Sequence, residues 1–91
     1  MNNARRKQIS KLQDKLEEIK SMLENVNDDI DSLRDDEQEA FDNLPESLQY
    51  SERGESMEAS IESLDNAYSS LEDLLNEFED ITDYLQEATE Q

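Results

Sequence analysis

Cysteine, histidine and tryptophan are absent from this chain, and glycine and proline occur once each, as Gly54 and Pro45. Without cysteine or histidine there is no disulfide, no thiolate nucleophile, no Cys/His zinc site and no imidazole base. Positive charge is scarce: eight Lys and Arg stand against 26 Asp and Glu, a net charge of −18. Phosphate repels such a surface, so direct binding of nucleic acid is not expected. Long apolar runs are missing too; no window approaches the ~18 residues that cross a bilayer, and no membrane association is expected. The start, MNNARRKQIS, is basic but leads into no apolar run, unlike a secretory signal. Ninety-one residues suit a single small domain over 1–91.

Low hydropathy with high net charge is the composition of a disordered chain. Leu, Ile, Val and Phe total only 19 of 91 residues, near the ~20% level typical of disorder. The order of those residues says otherwise. Ile9, Leu12, Leu16, Ile19, Leu23, Val26, Ile30 and Leu33 follow one another in alternating steps of three and four. That is an a/d heptad seam with Ile9, Leu16, Leu23 and Ile30 at a. The same register puts Glu37 at a, Ala40 at d and Leu44 at a, so the seam weakens before Pro45. A proline pushes the preceding residue out of the α region. Helix 1 is therefore expected over about 3–43, with Asn2 or Asn3 as N-cap.

Past the break, Met57, Ile61, Leu64, Tyr68, Leu71, Leu75, Phe78, Thr82 and Leu85 repeat the pattern. Helix 2 is expected over about 52–88, capped by Ser51, with Glu52 and Glu55 favourable at the positive end of its dipole. Gly54, in its first turn, costs ~1 kcal/mol of helix propensity. Residues 44–51 form the turn. Two helices of similar length with matching stripes make an all-α fold, an antiparallel coiled-coil hairpin. Charge placement agrees: residues 1–20 hold six bases and three acids, whereas nothing after Arg53 is basic. In a hairpin Arg5, Arg6, Lys7, Lys11 and Lys15 come to lie beside Glu77, Glu79, Asp80, Asp83, Glu87 and Glu90. Each exposed pair is worth only ~0–1 kcal/mol, but as a set they select the antiparallel register.

Helix 2 has more apolar surface than one neighbour needs. Ala67, Leu74, Ile81 and Ala88 recur at g beside its seam, while helix 1 has only Met22 there. A wider stripe implies a further neighbour, most simply helix 2 of a second copy in a dimeric four-helix bundle.

Few positions invite chemistry. The carboxylate pairs Asp28/Asp31, Asp36/Glu39 and Glu39/Asp42 have the spacing of metal-binding pairs in all-α phosphohydrolases. With 26 acids in 91 residues such spacings arise by chance, and a catalytic site needs carboxylates converging from several helices on one ion. Asp29-Ile30-Asp31 lacks the glycine and distal glutamate of a calcium loop. No enzymatic activity, cofactor or metal is expected. Tyr68 and Phe78 lie on the seam as core; Tyr84, off it, and Tyr50, in the turn, are candidate partner contacts.

The turn is the least generic part: Asp42-Asn43-Leu44-Pro45-Glu46-Ser47-Leu48-Gln49-Tyr50-Ser51-Glu52-Arg53. Its residues have structural roles, since Phe41, Leu44, Leu48 and Met57 can close the end of the hairpin. The stretch also resembles the DN-[hydrophobic]-PE-x-LQ-x-SER signature of small acidic proteins encoded by bacteriophages and prophages. Arg5-Arg6-Lys7 and the repeat from Ile61 to Ala67 fit that group as well. The resemblance implies a phage or prophage origin and hence the cytoplasm of a bacterial host; it brings no activity with it.

Two function classes follow. One is a non-enzymatic acidic interaction module that occupies the basic groove of a host nucleic-acid-binding or defence protein, as a DNA-mimic inhibitor does. Its contact surface would be the acidic tip: Asp35, Asp36, Glu39, Asp42, Glu46, Glu52 and Glu55, with Tyr50 as an anchor. The other is a homo-oligomeric scaffold whose acidity keeps it soluble.

Overall fold

In a computed structural model describing residues 1–91, the chain is a helical hairpin. Helix α1 runs Asn3–Asp42 (40 residues), α2 is the single turn Glu46–Gln49, and α3 runs Glu52–Thr89 (38 residues). There is no strand. The molecule is a rod of 69 × 15 × 13 Å. Forty residues at ~1.5 Å each already give α1 ~60 Å, and the tip and termini extend it.

Each helix begins where a side chain satisfies a free amide. Asn2 Oδ1 accepts from the Arg5 N–H at 2.9 Å, and Ser51 Oγ accepts from the Gly54 N–H at 3.4 Å. At the other end of α1, Gln49 Nε2 donates to the carbonyls of Phe41 (3.3 Å) and Leu44 (3.2 Å), which have no further helical turn to bond. Arg6 does the same for α3: its Nε donates to the Thr89 carbonyl at 2.9 Å, placing a cation at the negative end of that helix. The Met1 ammonium donates to the Gln91 carbonyl at 2.8 Å, so the two termini meet.

The register of the hairpin is fixed by three pairs that cross between the helices. Gln13 meets Gln86 at 3.4 Å, Lys20 meets Glu79 at 3.8 Å, and Arg34 meets Asp65 at 3.0 Å. The two residue numbers total 99 in each case, and all six residues occupy heptad position e. One flank of the hairpin is therefore an e-to-e ladder of polar pairs.

That ladder changes the expected seam of α1. Its half-buried row is Arg6, Ile9, Gln13, Leu16, Lys20, Leu23, Asn27, Ile30, Arg34, Glu37 and Phe41, which is a and e rather than a and d. On α3 the row is a and d, from Met57 through Ile61, Leu64, Tyr68, Leu71, Leu75, Phe78 and Thr82 to Leu85. The d residues of α1 are turned aside: Leu12, Ile19, Val26 and Leu33 are 45–56% exposed. The physical reason is that rolling α1 toward its e edge lets long polar side chains reach partners on α3. The cost is that no hydrophobic residue is fully buried. The most enclosed polar side chain is Asn27, 5% exposed, with its Oδ1 unpaired. A lone asparagine in a helical seam opposes slippage at some cost in stability.

The expected ion pairs at the terminal end are also corrected. None of them forms: the nearest cross-helix ion pair is Lys20–Glu79, near mid-rod, Arg6 caps carbonyls instead, and Arg5, Lys7, Lys11 and Lys15 take part in no ion pair.

Gly54 has a role beyond its propensity cost. It is buried, and a Cβ on it would lie 2.1 Å from the Gln49 carbonyl oxygen and 2.6 Å from that of Leu48. The end of α2 thus rests directly on the first turn of α3, where only glycine leaves room. Alanine is a better helix former by ~1 kcal/mol, yet Gly54→Ala is expected to lower the melting temperature, because the added methyl must open this contact. Thermal melting followed by circular dichroism tests it; a raised melting temperature would mean that the tip does not pack as described.

Candidate functional site

Two surfaces stand out on a rod with so little interior. The first is the acidic tip. Residues 35–60 hold nine acids against one base, Arg53, a net of −8. The remaining cations lie elsewhere: Arg34 at the boundary of this region, and the others within residues 5–20.

The proposed contact residues fall into distinct environments. Asp35 is not free, because its Oδ1 accepts from Arg34 Nη2 at 3.1 Å. The same guanidinium also holds Asp31 on α1 and Asp65 on α3. A planar donor fork can satisfy several carboxylates at once. These hydrogen bonds, to Asp65 first and Asp35 next, push the Arg34 pKa still higher than an ordinary arginine's. Asp42 accepts from Gln38 Nε2 at 3.0 Å, one turn back. Asp36, Glu39, Asp42, Glu46, Glu52 and Glu55 form no ion pair, and all are exposed. Glu46 opens α2, while Glu52 and Glu55 lie in the first turn of α3. Tyr50 follows α2 and is 79% exposed, an aromatic ring standing clear of the packing.

No group of three or more acids is arranged to hold a metal ion. Enclosure is equally lacking. A cleft of about 180 Å³ between α1 and α3, lined by Leu16, Lys20, Phe78, Glu79 and Thr82 among others, is below the ~300 Å³ at which small-molecule sites begin. The depression over Ser56, Ala59, Ser60 and Ser63 is open surface. No helix is long and apolar enough to cross a membrane.

The second surface is apolar and lies on the flank opposite the e ladder. Ala67 and Ala88 sit at g on α3 with Leu74 (41% exposed) and Ile81 (45% exposed) between them. The structure adds to this stripe the d row of α1, which the sequence had placed inside the hairpin. The hairpin register sets Leu12 level with Ala88, Ile19 with Ile81, Val26 with Leu74, and Leu33 with Ala67. Four apolar pairs therefore line one side of the rod. The missed signal was the e row of helix 1: Arg6, Gln13, Lys20, Asn27 and Arg34 are long or polar groups suited to a half-buried edge facing a complementary edge on α3.

Comparison with protein-family models, curated proteins and solved structures gives no match for this chain.

Tyr68 provides a probe of the packed seam near the Arg34 cluster. The Glu72 carboxylate one turn on, chiefly as a hydrogen-bond acceptor, raises the Tyr68 pKa; the negative charge of Asp31 and Asp28 adds to it. A phenol whose folded pKa is raised keeps its full stabilising effect below the ordinary value of ~10 and loses it as pH climbs through the folded value. Ultraviolet titration is expected to show one tyrosine ionising late, with helix content falling in the same alkaline range. Tyr68→Phe should remove the late component. If it leaves the curve unchanged, the contact with Glu72 is not made in solution.

Proposed function

We propose that this protein is a non-enzymatic, acidic interaction module whose tip engages a basic protein that normally binds nucleic acid. The observation that supports this is the unpaired state of the tip carboxylates: six of the proposed contact acids are exposed with no cation bound to them.

Magnitudes bound the likeness to nucleic acid. Averaged along the 69 Å rod, −18 is about one net charge per ~4 Å, sparser than the one per ~1.7 Å of duplex DNA. At the tip, −8 falls along the last eight residues of α1 (35–42), ~12 Å of helix, and the turn beyond them; over ~20 Å in all that is one charge per ~2.5 Å. A narrow end of that density can enter a positively charged groove, and long-range attraction accelerates encounter at low ionic strength. Affinity would come from displacing the groove's own counterions and from Tyr50 as a desolvated anchor. The phage resemblance of the turn fits an inhibitor of a host nucleic-acid-binding or defence protein in a bacterial cytoplasm.

A second reading, a homo-oligomeric scaffold, is favoured by the exposed apolar pairs on the flank. The two readings use different surfaces and are separable.

Capture from bacterial lysate on the immobilised chain, with each captured protein then tested for loss of duplex binding, examines the first. The expected result is a basic partner released between low salt and about 0.5 M, where the Debye length falls to ~3–5 Å. Replacing Asp36, Glu39, Asp42 and Glu46 by Lys should weaken capture at least ~10-fold while helicity persists. Binding that survives the reversal, or is indifferent to salt, would overturn the mimic reading.

A further inference from the structure

We infer that the apolar flank is the seat of a second copy of this chain, packed face to face with its ends reversed, so that α1 lies antiparallel on the partner's α1 and α3 on the partner's α3. The inference rests on that flank and not on the acidic tip, so it stands or falls separately from the mimic reading.

Three observations lead there. The first is the lack of an interior: no hydrophobic residue of the hairpin is fully buried, while Leu12, Ile19, Met22, Val26, Leu33, Leu74 and Ile81 are all more than two-fifths exposed. Nearly all the large apolar surface the hairpin leaves uncovered along its shaft lies on this one side.

The second is size. Rod on rod, the contact runs the length of α1, roughly 60 Å, with the apolar layers from Leu12 to Leu33 filling its middle ~32 Å, and the rod is 15 Å wide. That is a footprint of about 900 Å² a side, against ~800 Å² per partner in a stable complex. A short peptide would cover a fraction of it; a second rod covers it all.

The third is the pattern along the face, which is symmetric about one level. The midpoint of α1 (Asn3–Asp42) falls beside Met22. Reversing the second copy about that level sets Leu12 on the partner's Leu33 and Ile19 on the partner's Val26. On the other helix it sets Leu74 on the partner's Ile81 and Ala67 on the partner's Ala88. The outer layers then combine two leucines with two alanines, and the inner layers set Ile19 and Ile81 against the partner's Val26 and Leu74, an all-aliphatic centre between more lightly filled ends. Met22, 67% exposed, meets the partner's Met22 at the two-fold axis.

Charge selects this orientation over the alternatives. The g edge of α1 beside the face carries Lys15 toward the termini and Asp29 and Asp36 toward the tip. Reversed, Lys15 approaches the partner's Asp29, and the two tips of −8 lie at opposite ends of the bundle. With the ends together, the tips would lie side by side and Lys15 would face no acid of α1. The α3 side of the face is nearly uncharged from Ser56 to Ala88, with Ser60, Ser63, Ala67, Ser70 and Leu74 along it and Glu77 at its rim.

The chain has no cysteine, so introduced ones report without interference. Met22→Cys should cross-link to itself through a short bismaleimide and run as a dimer under denaturing conditions. Leu12→Cys and Leu33→Cys should each stay single alone and cross-link when the two chains are mixed. The unmodified chain should sediment at twice 10.6 kDa. A monomeric mass at tens of micromolar, self-linking of Leu12→Cys, or failure of Met22→Cys to link in a chain that circular dichroism shows to be helical would overturn the inference. Glu77→Gln, which removes a like-charge meeting at the axis on the α3 side, should tighten the dimer; under the ends-together arrangement it would change nothing.

Discussion

On α1 the apolar a and d rows lie ~60° apart around the helix, and α3 is narrow enough to take only part of that arc. The hairpin rolls α1 so that the a row and the polar e row face α3 while the d row points sideways. What decides the roll is the e edge. Gln13, Lys20 and Arg34 find Gln86, Glu79 and Asp65 at matching levels, and Arg6 finds the end of α3. From that choice come the absence of a closed core, the half-exposed d row, and an apolar flank built from both helices. The lone buried Asn27, its Oδ1 without a partner, belongs to the same edge near mid-rod.

Electrostatics follows the same axis. With −18 on 91 residues the chain repels itself, and its eight bases are placed unevenly. Arg34 gathers Asp31, Asp35 and Asp65 from both helices where the shaft meets the tip, and its single positive charge offsets part of theirs. The bases within residues 5–20 temper the terminal end, and Arg53 alone remains for the tip. The rod is thus polar in the electrical sense as well as in its sequence, weakly charged at one end and strongly at the other. A reversed pair of such rods spreads the charge to both extremities, which is the arrangement repulsion favours.

Much of this was legible in the residues. The alternating three-four spacing from Ile9 to Leu33, Pro45 as the break, and Ser51 before Glu52 point to a two-helix hairpin, and the structure is one. Heptad spacing defines which rows are apolar but not how far a helix rolls against a single neighbour, so the d row was assigned to the wrong interface. The roll depends on pairings between residues 31 to 73 apart, such as Lys20 with Glu79, that no local pattern states. Gly54 misled for a related reason: propensity describes a glycine within its own helix, whereas this one is needed by the carbonyls of Leu48 and Gln49. Of the tip residues, the sequence showed the density of acid, while only the fold shows that Asp35 is held by Arg34 and its neighbours are free.

The two surfaces answer to salt in opposite directions. A second copy brings −18 to meet −18, so screening strengthens self-association, since its driving force is the burial of Leu, Ile, Val and Met side chains and the ionic terms oppose it on balance. A basic partner at the tip is attracted through the same charges, so screening weakens it. The surfaces also barely overlap: Asp42, Glu46, Tyr50, Glu52 and Glu55 belong to the tip, whereas the apolar layers run from Leu12 to Leu33. A reversed dimer would therefore leave both tips open and hold them roughly a rod's length, 69 Å, apart. Two acidic ends on one rigid body multiply the effective concentration at a partner with two basic sites only if that spacing matches. The hydrophobic flank then sets the distance between the acidic ends, and the fold that left α1 half uncovered becomes the means of presenting them as a pair.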